Sequence, residues 1–236
     1  MPNSTLVGNI LSTSQKFDNT EAQLLLGQIA LNNGSFVEAF NFFSRAAQSG
    51  QAQALNMLGR AYEKGWGVPR SAPLAMKYYE AAATQGYGWA YFNLGDLYLA
   101  GDGLLPNPVK AFECYAKAAC HGVNKALNML GTLCETGVGT QPPDKEKARQ
   151  YFLAGAHVRD CWAAFNLGRL YMQEKDQTTA ALWFEASLAD GYPDYWSFMH
   201  QYLIQNHSQV FRKIQGRVEN LLLTSPQFST IDAVSL

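Results

Sequence analysis

The sequence predicts an all-α fold: a right-handed α/α superhelix (a solenoid) of about five helix-turn-helix repeats with a C-terminal capping helix pair. Three observations predict it. First, a signature of alanine, three residues, Leu-Gly, two residues and an aromatic recurs along the chain. It stands at Ala54, Leu58, Gly59 and Tyr62, at Ala90, Leu94, Gly95 and Tyr98, and at Ala163, Leu167, Gly168 and Tyr171. Ala126, Leu130 and Gly131 repeat it with Cys134 in the aromatic slot, and Ala22, Leu26 and Gly27 form a partial copy. Second, the Leu-Gly glycines fall 32, 36, 36 and 37 residues apart, and a fixed period in this range marks a stacked array of supersecondary units. Third, Ser35, Ser71, Asn107, Asp144 and Asp176 share one register. All are residues whose side-chain oxygen can cap a helix N-terminus.

Residues 1–19 are a polar extension with apolar positions at Leu6, Val7, Ile10 and Leu11, a spacing that allows a short capping helix. The repeat array is expected over residues 20–191. Each first helix carries the signature. A glycine inside a helix costs about 1 kcal/mol against alanine, so five in one register need a reason. Here it is the close approach of the paired helix. Each second helix starts at its cap residue, with Pro108 following Asn107 at a position where proline is tolerated. Alanines and aromatics follow, as in Ala75, Tyr78, Tyr79 and Ala82. Gly50, Gly86, Gly122 and Gly191 fall where a helix C-cap glycine with positive φ is expected. Arg159 takes that place in the fourth repeat, which predicts an irregular exit. Three middle turns carry Gly-x-Gly, at Gly65 and Gly67, Gly101 and Gly103, and Gly137 and Gly139.

After Gly191 the pattern degrades, as the end of a solenoid requires. Tyr195 takes the alanine slot, and Met199 with His200 takes the Leu-Gly slot. Residues 192–223 are expected to be capping helices, the second with Val210, Phe211, Ile214, Val218, Leu221 and Leu222 on one face. Residues 224–236 lack helical periodicity and read as a tail.

Composition excludes several functions. Apolar residues make up 47% of the 236, charged residues 16%, and the net charge is −1. No basic stripe marks a nucleic-acid binder, and no apolar run approaches the roughly 18 residues of a membrane span. No basic residue precedes the short apolar patch of the N-terminus, which makes it a poor secretion signal. A cytoplasmic location is expected, with export by another route still compatible. No pair recurs among Cys114, Cys120, Cys134 and Cys161, so all four are expected to be reduced thiols. Cys114 and Cys134 occupy core slots and are expected to be buried.

These residues resemble the Sel-one-like repeat (SLR) family, close kin of the tetratricopeptide repeats. The family pattern is similar to A-x-x-x-L-G-x-x-Y-x-x-G-x-G-V, a capped linker, then K-A-x-x-Y-Y-x-x-A-A-x-x-G. Residues 54–86 match it at nearly every marked position, and about 170 residues share the register. The first and last repeats are nearer the tetratricopeptide form. The resemblance implies a non-catalytic adaptor or scaffold for protein partners. It also implies that the first helices line a concave groove. The positions flanking Leu-Gly would then face it: Asn56, Met57 and Arg60; Trp89, Phe92, Asn93 and Asp96; Lys125, Asn128 and Thr132; Trp162, Phe165, Asn166 and Arg169. Asn93 and Asn166 sit where related repeats place an asparagine that bonds a peptide backbone, and Asn56 and Asn128 are shifted by one. An amide offers both donor and acceptor, which suits an extended peptide. Tryptophan and arginine anchor interfaces. The plainer reading makes Phe92 and Phe165 helix packing and the asparagines solvated.

Other chemistry is thinly supported. The Gly-x-Gly turns lack the strand and the longer glycine pattern of a phosphate loop. His157, Asp160 and Cys161 lack a third group that would orient the imidazole of an activated thiol. His121 and His157 share a register, but equivalent helices lie about 8–10 Å apart or more, too far for one metal. No catalytic residue, metal or cofactor is expected. The partner is a protein or peptide, and the chain is a monomer or a homodimer. Self-association through the aromatic C-terminal cap is the alternative function.

Overall fold

The computed structural model describes residues 19–101, 105–206 and 208–225. All but the last residue of the expected N-terminal extension, the end of the tail and Gly103 lie outside them. Among the described residues the chain is all-α, with twelve α-helices in consecutive pairs. They are α1 (Asn19–Asn32), α2 (Phe36–Ala47), α3 (Ala52–Lys64), α4 (Ala72–Ala83), α5 (Gly88–Ala100) and α6 (Pro108–Cys120). Then come α7 (Lys125–Thr136), α8 (Lys145–His157), α9 (Cys161–Gln173), α10 (Gln177–Ser187), α11 (Pro193–Gln205) and α12 (Arg212–Thr224). One isolated bridge joins Val138 to Gln141 in the α7–α8 turn. The helices form two compact units, divided after Val123.

Caps set the second helices. The side chains of Ser71, Asn107, Asp144 and Asp176 each accept the N–H three residues on. Ser35 takes the cap position of α2 without that bond. Asp160, which the repeat register does not single out, caps α9 through the Ala163 N–H.

The exits divide. Gly50, Gly86 and Gly122 have φ of 74°, 79° and 83°. Arg159 adopts the same conformation at 66°, so the fourth repeat leaves its helix as the others do, contrary to the irregular exit expected. Gly191 is the true exception. Its φ is −77°, and α10 runs on into a 3-10 turn at Leu188–Asp190. Its missing side chain serves contact instead, since a Cβ there would stand 2.6 Å from the Tyr195 ring and closer still to Trp196.

The Leu-Gly glycines have one shared cause. A Cβ on Gly27, Gly59, Gly95, Gly131 or Gly168 would collide with the ring of Phe43, Tyr79, Tyr115, Phe152 or Phe184. Each first helix thus offers a flat seat to one aromatic from its partner helix, and all five rings are fully buried. Burying such a side chain contributes about 1.5–3 kcal/mol, which outweighs the helix cost of the glycine. In the first unit Ala75, Tyr79, Ala82 and Ala83 of α4 share a core with Ala90, Leu94 and Leu97 of α5. In the second, Phe165, Phe184, Tyr195, Met199, Phe211, Ile214 and Val218 form one core across α9 to α12. Val210 is exposed rather than on that inner face. All four cysteines are free. Cys134 is buried as expected, but Cys114 is only half-buried.

Candidate functional site

The expected binding residues on α5 are Trp89, Phe92, Asn93 and Asp96. Their spacing puts them on one face of the helix. In the first unit the Asn93 amide donates through Nδ2 to Asn56 Oδ1 of α3 at 2.9 Å. Asn56 itself is 4% exposed, so it supports the face from beneath and offers no surface to a ligand. Trp89 meets Phe92 edge-on at 5.6 Å, and Phe92 meets Tyr115 edge-on at 5.5 Å. Arg60 lies over the Trp66 ring at 5.3 Å.

Asp96 Oδ1 accepts the Tyr115 hydroxyl at 2.6 Å, and Glu63 Oε2 accepts the Tyr79 hydroxyl at 2.6 Å. The two phenols that seat on the glycines therefore also anchor two acids. Burial, reinforced by the Glu63 charge and opposed by the Tyr115 bond, pushes the Asp96 carboxyl up to about 6. Burial also raises both tyrosines. Glu63 is a residue the repeat register misses. It stands four residues after Gly59, one turn along the same helix face.

A raised carboxyl costs stability when charged. The folded chain holds the Asp96 proton more tightly than the unfolded chain, so stability falls as pH rises from about 4 through about 6. That loss is complete above this window. Asp96→Asn keeps an acceptor for Tyr115 and is expected to stabilise the protein at pH 7 by about 1–3 kcal/mol. It should also flatten the dependence between pH 4 and 6. Urea unfolding at several pH values checks this, and an unchanged profile contradicts it.

In the second unit the same spacing recurs on α9 at Trp162, Phe165, Asn166 and Arg169. Asn166 donates to Asn128 Oδ1 of α7 at 2.8 Å, repeating the amide pair. Here the last residue is a cation. Arg169 Nε donates to Asn166 Oδ1 at 3.2 Å, and its guanidinium forks onto Glu135, with Nη1 to Oε1 at 2.8 Å. Glu135, like Glu63, stands four residues after its glycine.

The aromatics of this stripe serve the cap. Phe165 is 5% exposed, packed on Phe184, Phe198 and Tyr202. It belongs to the core and presents no binding surface, because the bulky α11 closes over it. Trp162 packs on Tyr195 and Phe198 and donates its indole N–H to the Tyr192 hydroxyl at 3.1 Å. Lys125 and Thr132 are exposed.

Burial and the adjacent Asp160 push the Cys161 thiol up to about 12, the reverse of an activated nucleophile. The His121 ring stacks on Tyr91 at 5.4 Å. Among the described residues, no three of His, Cys, Asp and Glu gather as metal ligands. No helix among them is long and apolar enough to cross a membrane.

The chain is similar to the crystal structure of a Sel1 repeat protein from Oxalobacter formigenes, with a TM-score of 0.70 and 26% identity over 89% of this chain and 87% of that one. A protective antigen of uropathogenic Escherichia coli strains, displaying an SLR fold, superposes with a TM-score of 0.67 at 23% identity. It is matched over 84% of this chain and 44% of that chain. An immunity protein from Pseudomonas aeruginosa gives a TM-score of 0.59 at 18% identity over 84% and 81%. These two show the fold alone. None of the curated proteins compared matches the chain. The Sel1 repeat model matches residues 20–51, 52–87, 90–123, 124–157 and 163–192, so the chain belongs to the Sel1 repeat family, whose repeats are typically non-enzymatic scaffolds for protein–protein interaction.

Proposed function

We propose that the chain is a non-catalytic scaffold that holds an extended segment of a partner protein on the α5 face of its first unit. The observation that carries this reading is the Asn93 amide beside Asp96. Asn93 spends one N–H on Asn56. Its second N–H and its carbonyl oxygen suit the acceptor and donor of an extended peptide backbone. Asn56 fixes the amide, so little rotamer entropy is lost when it binds. Trp89 and Phe92, both half-buried, supply the aromatic anchor beside it.

The acids add selectivity. In the second unit Asn166 and Glu135 hold the Arg169 guanidinium. In the first unit Asp96 stands at the Arg169 position and Glu63 at that of Glu135. A partner arginine or lysine would meet two carboxylates and the Asn93 carbonyl there. Charged Asp96, costly in the free protein, would be relieved by that cation.

A displayed peptide library selected on the protein tests the reading, with affinities taken by fluorescence anisotropy. Selected peptides are expected to carry a basic residue and to bind more weakly at pH 5 than at pH 7. Asn93→Ala or Trp89→Ala should each weaken them about tenfold, the loss of roughly one good contact. Unchanged affinity in the folded double variant contradicts the reading. The alternative, self-association through the aromatic C-terminal cap, has Tyr192 and Phe198 as its exposed rings, while Tyr195 and Met199 are spent on the core. A monomer mass by light scattering is expected. A dimer that dissociates on Phe198→Ala would favour the alternative.

A further inference from the structure

The two units carry the same acceptors and satisfy them differently. Asn56, Glu63 and Asn93 return 72 or 73 residues later as Asn128, Glu135 and Asn166, while Asp96 returns as Arg169. The seated rings change with that exchange. Tyr79 and Tyr115, on Gly59 and Gly95, give their hydroxyls to Glu63 and Asp96. Phe152 and Phe184, on Gly131 and Gly168, have no hydroxyl to give. Glu135 takes its donors from Arg169 instead.

The second unit therefore displays a guanidinium in place. Its Nε bonds the Asn166 amide oxygen, and both terminal nitrogens fork onto Glu135. In the first unit the matching acceptors hold no guanidinium of this chain. Asn93 Oδ1 accepts no hydrogen bond among the described residues. Arg60 is turned onto Trp66 and Met57. Lys64 supplies a cation, with Nζ 2.7 Å from Glu63 Oε1 and the side chain 54% exposed. Thr136 stands at its position in the second unit and bonds its own helix.

We infer that Asn93 Oδ1, Glu63 and Asp96 form a subsite for one arginine side chain of the partner segment, in preference to lysine, and that Lys64 holds its place until the segment binds. The inference rests on the peptide reading of α5 and names the side chain that this face selects. An exposed ion pair such as Lys64 with Glu63 holds weakly, so it is readily given up. A partner lysine would only exchange one ammonium for another. A guanidinium carries five donors in a planar fork and can span an amide oxygen and a carboxylate together, as Arg169 does in the second unit. Such charge-assisted, two-pronged bonds are the strong ones. Arg169 also fills the second unit's copy of the subsite from within the chain, which leaves the first unit as the one open to a partner.

Proton–nitrogen spectra of the labelled full chain test it, titrated at constant ionic strength with ethylguanidinium and, separately, with n-butylammonium. Ethylguanidinium is expected to shift the Asn93 side-chain amide saturably, at a concentration about fivefold or more below that of n-butylammonium. Lys64→Met should lower that concentration further. Asp96→Arg, which copies Arg169 into the first unit, should abolish the shift. Replacing the arginine of a selected peptide with lysine should weaken its binding about tenfold. No saturable response, or an equal response to the two cations, overturns the inference. That comparison uses the unaltered protein, so it stands even if Asp96→Arg does not fold. Peptides that shift Asn93 and Trp89 yet bind equally well with lysine overturn it and leave the α5 reading standing. An ethylguanidinium site at Asn93 with no selected peptide there supports the subsite and counts against the α5 reading.

Discussion

Replacing Gly95 with leucine is expected to unfold the centre of the first unit at markedly lower urea. An ideal Cβ at Gly95 already stands 2.6 Å from Tyr115 Cε1 and 2.7 Å from Cδ1, inside any real contact. The ring cannot swing away freely. It is fully buried, and its hydroxyl is held by Asp96. Overpacking of this kind costs about 1–3 kcal/mol, and displacing the phenol strips the half-buried Asp96 of its donor as well. In a repeat array the damage spreads to neighbouring interfaces, so the transition should also lose slope. Gly216→Ala is the control. Nothing lies within 4 Å of a Cβ there, and about 1 kcal/mol of helix propensity is gained. A Gly95→Leu protein with an unchanged midpoint and slope would mean that the ring does not seat on the glycine, and the repeat register would fall with it.

The second large effect is expected at Phe165→Ala. The side chain lies among Phe184, Phe198 and Tyr202 at ring distances of 5.7, 5.0 and 4.9 Å. Truncating a phenylalanine in such a core costs about 3–5 kcal/mol, because the surrounding rings relax only in part. Phe165→Leu should cost less, since it leaves a smaller void. Denaturant unfolding read by tryptophan fluorescence checks both. A loss under about 1 kcal/mol for Phe165→Ala would place the side chain at the surface and return it to the binding face. The same substitution at Phe92, half-buried between Trp89 and Tyr115, should cost less stability.

That contrast shows where sequence reading reaches and where it stops. The period, the helix pairs and four of the five caps were legible, because they depend on local chemistry that repeats. The glycines were legible as a packing device. Their purpose, a seat for one named ring, needed the partner helix in view. Phe92 and Phe165 share a register and differ in burial because α11 carries rings over the second and not the first. No local pattern encodes that. Arg159 and Lys175 hold φ near 65° without being glycine, which composition cannot reveal. Glu63 and Glu135 escaped notice because the signature ends before them, although each lies one turn beyond its glycine. The two amide pairs were half legible. Asn93 and Asn166 stood out by register, but Asn56 and Asn128 looked displaced by one residue, and that shift is compatible with their bonding the amide of the next repeat's first helix.

The proposed binding of an extended peptide to the α5 stripe runs through Asn93, between the Trp89 and Phe92 anchor and the Asp96 and Glu63 carboxylates. Nuclear magnetic resonance of the nitrogen-labelled protein, titrated with a selected basic peptide, tests it most directly. The Asn93 side-chain amide and the Trp89 indole N–H are expected to shift together in proportion to bound peptide, while the Trp162 indole stays put. Saturable shifts confined to α11 and α12, with Asn93 and Trp89 unmoved, would contradict it.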